Sequence, residues 1–213
     1  MKPRPSPTFC PEMRAAILAG RKTMTRRVMI PQPTRQASDW SMDLEPGDVY
    51  IDVFRRVWRT AESHGRNARD AGELSKREIV GRYGGPGDVW YLREPLKRAD
   101  KGMVVYLDDG CPVMVDEESR AWTWKRPTLA AMYMPAWAAR HFLRVTAVPV
   151  ERLQDITEAD VRAEGIESNG ANPLKQLRDF ALLWDRLNAE RKHPWSANDW
   201  VWCYNFERTE APK

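Results

Sequence analysis

Trp200-Val201-Trp202-Cys203-Tyr204-Asn205-Phe206 alternates large aromatic rings with smaller side chains along its whole length. Successive side chains of a strand point to opposite faces, so this run predicts a strand with Trp200, Trp202, Tyr204 and Phe206 on one face and Val201, Cys203 and Asn205 on the other. Working outward, Phe142-Leu143-Arg144-Val145-Thr146-Ala147-Val148 reads as a second strand with Pro149 at its end, where a missing N–H does no harm. Pro86-Gly87-Asp88 is a turn that opens Val89-Trp90-Tyr91-Leu92, and Pro46-Gly47-Asp48 does the same for the run from Val49 to Phe54. Residues 103–107, 111–115 and 120–124 are short runs separated by Asp108-Asp109-Gly110 and Asp116-Glu117-Glu118, the pattern of a meander.

Helices are fewer. Residues 11–19 have Pro11 in the first position, Glu12 in the first turn and Gly20 as terminator. A short helix follows Thr157, where Thr157 and Asp160 form a capping box and Gly165 stops the segment after Glu164. From Pro173, the residues Leu174, Leu177, Phe180, Ala181, Trp184 and Leu187 recur at helical steps and are expected to form a core stripe. Many short strands with few helices predict an α+β chain built on a small β-barrel. Residues 1–213 are expected to form one domain, with 50–82 as an insertion that is partly mobile or helical, because that stretch is rich in Arg, Ser, Gly and Asn.

The chain is 213 residues long with three cysteines, enough to bury a core without disulfide staples. A mean hydropathy of −0.64 and the absence of a long apolar run argue against membrane insertion, and the N-terminal Met1-Lys2-Pro3-Arg4-Pro5-Ser6-Pro7 lacks the apolar stretch of a signal peptide. A cytoplasmic protein is expected. Cys10, Cys111 and Cys203 are widely spaced and read as reduced core thiols, while His64, His141 and His193 are as scattered, so no metal site and no cofactor is expected.

Charge is unevenly spread. Residues 1–35 hold eight Lys or Arg against Glu12 alone, a net +7 in a chain whose total is +4, which leaves −3 for the remainder. Such a concentration either draws in phosphate-bearing ligands or is a solvated helix end. Within Gly20-Arg21-Lys22-Thr23-Met24-Thr25-Arg26-Arg27, one helical turn would bring the Lys22 ammonium to the Thr25 hydroxyl. A hydroxyl needs a neighbouring base to attack, and a lysine becomes one only when burial or nearby cations such as Arg21, Arg26 and Arg27 depress its pKa. The other reading has Lys22 and these arginines on backbone phosphates and Thr25 on a main-chain group. Arg93 and Glu94 end a strand, as a surface ion pair or as a ligand-facing pair in which Arg93 holds a phosphate or carbonyl and Glu94 accepts from a base-edge amine. Ten tryptophans supply core, and Trp137, after Met134-Pro135 in a loop-like stretch, is the one best placed to stack on a base.

Residues 15–28 (Ala-Ala-Ile-Leu-Ala-Gly-Arg-Lys-Thr-Met-Thr-Arg-Arg-Val), 86–94, 134–140 and 150–160, with the Trp-rich final strand, resemble the ASCH domain family of the PUA-like group of small β-barrels, in particular the longer ASCH proteins of bacteriophages and prophages. The Gly-Arg-Lys-Thr run is the most specific part. Small bacterial members of that family are amidohydrolases that take the acetyl group off N4-acetylcytidine with a lysine, a threonine and a glutamate. The resemblance therefore implies a PUA-like barrel flanked by helices, with Lys22, Thr25 and Glu164 as catalytic residues and a nucleoside or modified-base substrate; from the residues themselves, Arg21, Arg26, Arg93, Glu94 and Trp137 are expected to bind it. Other ASCH proteins are proposed RNA binders and one kind looks like a ribonuclease, so a module that binds RNA or single-stranded nucleic acid is the alternative. The phage members usually have a polar residue at the position of Met24 and an arginine at that of Ala136, and the minimal enzymes lack the 50–82 insertion.

Overall fold

In a computed structural model the described residues are 2–30, 32–33, 35–37, 49–52, 57–62, 75–79, 81–99, 103–114, 124–166 and 172–212, with the backbone alone described in 35–37, 49–52, 57–62 and 75–79. The chain is a mixed α+β protein that divides into two compact units, each discontinuous in sequence. One comprises Met1–Gly20, Pro86–Thr146 and Phe206–Lys213, the other Arg21–Gly85 and Ala147–Asn205.

In the first unit, β1 (Arg4–Pro5) runs parallel to β7 (Val89–Tyr91), which pairs antiparallel with β11 (Phe142–Ala147), Leu143 opposite Trp90. Gly87, at φ +90°, makes the turn into β7 that its Pro-Gly-Asp sequence predicts. The helix α1 (Pro11–Leu18) begins at Pro11 as expected, and its buried Arg14 is neutralised by a two-pronged contact with Asp108 at 2.6 and 2.7 Å. A second sheet has the order β10 (Thr128–Leu129), β8 (Leu96–Arg98), β9 (Val104–Tyr106), and only β9 coincides with the expected meander. Residues 115 and 120–123 of that meander lie outside the described residues. Tyr91, Leu96, Tyr106, Val113 and Met134 form the core around this sheet, while the rings of Phe9 and Trp90 meet Phe206 at centroid distances of 6.4 and 5.8 Å.

In the second unit, β2 (Met24–Val28) and β12 (Val150–Arg152) flank β13 (Trp200–Thr209), whose first six residues lie here and whose last four lie in the first unit. The alternation expected of this strand is present, and both of its faces are covered: Val201 and Cys203 pack with Leu153, Ile156, Val161, Phe180 and Trp184, and Trp202 and Tyr204 are also buried. Helix α2 (Glu158–Ala163) packs against α3 (Pro173–Asn188). The expected core stripe of α3 holds only in its middle, where Phe180 and Trp184 are buried, whereas Leu174 is 74% and Leu187 48% exposed.

The described residues of the 50–82 stretch correct the expectation of helical structure. A separate sheet of order β3 (Arg35–Ala37), β4 (Val49–Asp52), β5 (Val57–Glu62), β6 (Ser75–Ile79) occupies it. β4 is the start of the strand expected from Val49, whereas the overall polarity of the rest of the stretch hid Val57, Trp58 and Thr60, residues that favour extended backbone. The turn expected at Pro46-Gly47-Asp48 lies outside the described residues. Among the described residues no helix is long and apolar enough to cross a membrane.

Candidate active site

Gly20 adopts φ +75°, a left-handed conformation that stops α1, and the chain leaves it extended. The expectation that one helical turn joins Lys22 to Thr25 is thereby corrected: Met24–Val28 is strand β2, favoured by β-branched Thr25 and Val28 and by pairing with β13. What Lys22 meets is the C-terminal end of α2. The Thr157 hydroxyl accepts from the Asp160 N–H at 3.2 Å and the Asp160 carboxylate accepts from the Thr157 N–H at 3.0 Å, completing the predicted capping box. Glu164 occupies the C-cap of the same helix and Gly165, at φ +86°, ends the segment. Glu164 then forms a main-chain bridge with Lys22, and the Thr23 N–H donates to the Ala163 carbonyl at 2.8 Å.

Side chains close the junction. Lys22 Nζ donates to Glu164 Oε2 at 2.6 Å and to the Glu164 carbonyl at 2.8 Å, with Lys22 3% and Glu164 5% exposed. Glu164 Oε1 accepts the Arg26 N–H at 2.7 Å, which places the carboxylate at the edge of β2 away from β13. The Arg26 guanidinium lies 3.1 Å from Asp160, 3.4 Å from Glu151 and 3.6 Å from Glu164. Two buried cations thus share three carboxylates. Burial works against the Arg26 charge, but Cys203 and the carboxylates of Glu164, Glu151 and Asp160 outweigh it and hold its pKa above the ordinary value. Burial likewise pushes the Cys203 thiol well up, so this cysteine is an inert core residue.

Thr25 is buried, and its cross-strand partner is Tyr204, while Arg27 lies opposite Trp202 and Arg26 opposite Cys203. Strand alternation therefore sets Thr25, Arg27, Trp202 and Tyr204 on one face and Met24, Arg26 and Cys203 on the other. The structure brings Lys22, which precedes β2, to Glu164 and leaves Thr25 on β2, facing the other way from Arg26. On the face of Arg27, Trp202 and Tyr204 opens a cavity of about 600 Å³, whose lining also includes Arg82, Tyr83 and Arg191 but not Lys22, Thr25 or Glu164. Gly81 belongs to its wall, because a Cβ there would stand 2.1 Å from Tyr204 Oη. The Tyr204 hydroxyl accepts from the Tyr83 N–H at 3.3 Å, and burial pushes its pKa up to about 12, so it remains a neutral phenol. Sequence reading missed Tyr83, Arg82 and Arg191; only the alternation of β13 and the basic run at Arg27 pointed toward this face.

The remaining expected site residues are divided. Arg21 is exposed and belongs to the second unit, whereas Arg93, Glu94 and Trp137 belong to the first. Glu94 is 1% exposed and is held by Arg140, whose Nη2 and Nε donate to it at 2.7 and 3.1 Å. Arg140 also reaches Asp109 at 2.8 Å, and its guanidinium lies 3.7 Å from the centre of the Tyr106 ring. Arg93 donates instead to the Thr8 hydroxyl at 3.0 Å and to the Met132 carbonyl at 3.4 Å. Trp137 sits on a 3₁₀ turn, Ala136–Ala138, and is 37% exposed. Of the three cysteines only Cys203 is a core thiol, since Cys10 is half-buried and Cys111 exposed. Among the described residues no cluster of His, Cys, Asp or Glu is arranged to hold a metal ion.

No family model and no curated protein matches the chain. Among solved structures it is similar to protein EF3133 from Enterococcus faecalis V583, a protein of the family DUF984, at 10% identity and a TM-score of 0.41, over 99% of this chain and 82% of that one.

Proposed function

We propose that this protein is a hydrolase that removes an acetyl-type group from the N4 amine of a cytidine nucleoside or modified cytosine base. The observation that carries the reading is the buried contact between Lys22 and Glu164, 142 positions apart in sequence and 2.6 Å apart in space, beside the strand that bears Thr25. These are the residue types, at the matching positions, that the ASCH resemblance implies for amide hydrolysis. In this reading the substrate reaches Thr25 on β2 and the Lys22–Glu164 pair at the edge of that strand.

In the proposed reaction the Lys22 ammonium passes a proton to Glu164 across their hydrogen bond, leaving a neutral amine beside a carboxylic acid. The amine takes the proton of the attacking oxygen, from a water or the Thr25 hydroxyl, as that oxygen adds to the acyl carbon. Nearby guanidinium and main-chain donors stabilise the oxyanion. The bond between the acyl carbon and N4 breaks as the Glu164 proton moves to the departing amine, which restores the charged pair and releases cytidine. On the threonine route, a water then hydrolyses the acyl ester and returns a proton to Thr25.

A module that only binds a base or strand is the second reading, favoured by the arginine-rich aromatic cavity on the Thr25 face. Incubation with N4-acetylcytidine and longer N4-acyl cytidines, with cytidine followed by chromatography, separates the two. Release that is lost in Lys22→Ala supports the hydrolase. Absence of release from every acyl cytidine, with nucleic acid still bound intact, overturns it in favour of the binding module, and shortening of a labelled RNA strand would make the protein a nuclease.

A further inference from the structure

We propose that His193 and Asp199 form a second catalytic site, in which His193 activates water against a carboxylic ester of a phenol or similarly acidic alcohol held in the cavity beside β13. This activity is separate from the hydrolase reading, since neither Lys22 nor Glu164 lines the cavity.

His193 lies in the loop between α3 and β13 and is part of the lining of the cavity of about 600 Å³. Its Nδ1 is 2.7 Å from Asp199 Oδ2, and both side chains are half-buried. A carboxylate only accepts, so the neutral ring carries its proton on Nδ1 and keeps Nε2 as the acceptor for a ligand. The loop is built to hold this pair. Among the described residues the only non-glycine residues with positive φ are Lys192, at 67°, and Asn198, at 48°, and each immediately precedes one member of the pair. Left-handed backbone is unfavourable for a lysine and persists where surrounding contacts impose it, a pattern that concentrates at functional sites. Here the contacts are dense: the His193 carbonyl accepts from Trp184 Nε1 at 2.9 Å, the Trp195 N–H donates to Asp185 at 2.6 Å, and Asn198 Oδ1 accepts the Gln154 N–H at 2.9 Å. A histidine oriented by a carboxylate, on a braced loop that lines a cavity, is the arrangement of a general base.

The rest of the lining selects the reaction. It offers no serine, threonine, cysteine or lysine among the described residues, so the attacking oxygen is that of water. Tyr204 does not replace it, because burial pushes its pKa up to about 12 and keeps the phenol neutral. One base acting on water suffices where the leaving group departs as a stable anion, which favours a phenol ester over an amide, and the charge of a phosphodiester repels an incoming hydroxide. Val28, Tyr83 and Trp202 give the aryl ring an apolar wall. Nε2 takes a proton from water as the water oxygen adds to the acyl carbon, and the guanidinium groups of Arg82 and Arg191 donate to the oxyanion. The bond between the acyl carbon and the phenol oxygen then breaks, and His193 returns the proton to the phenolate, leaving a carboxylic acid and a phenol.

The test is a spectrophotometric assay of the full chain with p-nitrophenyl acetate and p-nitrophenyl benzoate, and with bis(p-nitrophenyl) phosphate alongside. Saturable release of p-nitrophenol from the carboxylic esters is expected, with kcat lowered by about 100-fold or more in His193→Gln and KM little changed. Glutamine can still donate to Asp199 but takes up no proton, so the loop keeps its anchor. Added imidazole is expected to restore release in His193→Ala, a rescue that a purely structural role of His193 does not allow. Asp199→Asn is expected to lose about tenfold or more in kcat, because the ring is no longer held in the right tautomer. Release retained in His193→Gln overturns the proposal, as does a loss that imidazole does not restore in His193→Ala. Absence of release from both carboxylic esters, or cleavage of the phosphodiester alone, overturns it as well. Ester turnover by a protein that hydrolyses no acyl cytidine removes the hydrolase reading alone, and cytidine release without ester turnover removes this inference alone.

Discussion

Replacing Glu164 by Gln tests the junction between β2 and α2. The carboxylate accepts Lys22 Nζ at 2.6 Å on one oxygen and the Arg26 N–H at 2.7 Å on the other. A glutamine amide turns its NH2 toward one of these donors whichever way it is flipped, and it removes the counter-charge of a lysine that is 3% exposed. Breaking a buried ion pair by removing one partner costs about 3–5 kcal/mol. For a chain of this length each kcal/mol lowers Tm by about 2–4 °C, so Glu164→Gln is expected to melt roughly 6–20 °C below the wild type. Glu158→Gln is the internal control, because its pair with Arg162 has the same 2.6 Å separation but lies on the exposed surface of α2, where an i,i+4 pair is worth about 0.3–0.5 kcal/mol. Thermal unfolding at neutral pH, followed by circular dichroism, should show a loss below about 2 °C for Glu158→Gln. If the two variants melt together, the Lys22–Glu164 contact does not hold this junction and the reasoning fails.

Gly81→Ala is expected to destabilise by about 1–3 kcal/mol in denaturant titration through overpacking, because the added Cβ meets Tyr204 Oη at 2.1 Å, and Tyr204→Phe in the same chain should recover part of the loss. In an alkaline titration followed by tyrosinate absorbance, one tyrosine should titrate at about pH 12 and vanish in Tyr204→Phe. Since its folded pKa lies above the unfolded value of about 10, the stability it contributes is complete below pH 10 and is lost as pH rises toward 12. His141 is held below its ordinary pKa, first by burial and then by Arg140 and Arg208 against the opposing pull of Glu94, so its contribution is complete above the unfolded pKa and falls as pH drops through the folded one. Comparison of His141→Gln with the wild type should show the stability difference shrinking between neutral and mildly acid pH.

Local signals carried well from sequence to structure. Pro11 and Gly20 bound α1, Thr157 with Asp160 and Gly165 bound α2, and the aromatic alternation of β13 is present. Each depends on a few neighbouring residues and on backbone preferences that tertiary packing leaves alone. The partner of Lys22 was legible only through the family resemblance, because nothing near Lys22 in sequence points to a residue 142 positions away. The helical spacing from Lys22 to Thr25 failed because pairing with β13 decides the conformation of residues 24–28. Short-range pattern likewise does not reveal that Arg14 is matched by Asp108 or Glu94 by Arg140, which turns part of the N-terminal cationic run and the expected ligand-facing carboxylate into buried ion pairs. The cavity was invisible for the same reason, since its arginines come from segments around residues 27, 82 and 191. Leu174 and Leu187 fit the helical period of α3 but are exposed, because periodicity does not encode what packs against each turn of the helix.

Lys22→Arg tests the proposed chemistry most directly. Arginine keeps the positive charge and can hold Glu164, yet it does not deprotonate in proteins and so cannot serve as the base. The measurement is the rate of cytidine release from an N4-acetylcytidine substrate by a Lys22→Arg protein whose circular dichroism matches the wild type. Release by the wild type with loss of release in the variant is the predicted result. Retained release in the variant would show that position 22 supplies only charge and would contradict the mechanism.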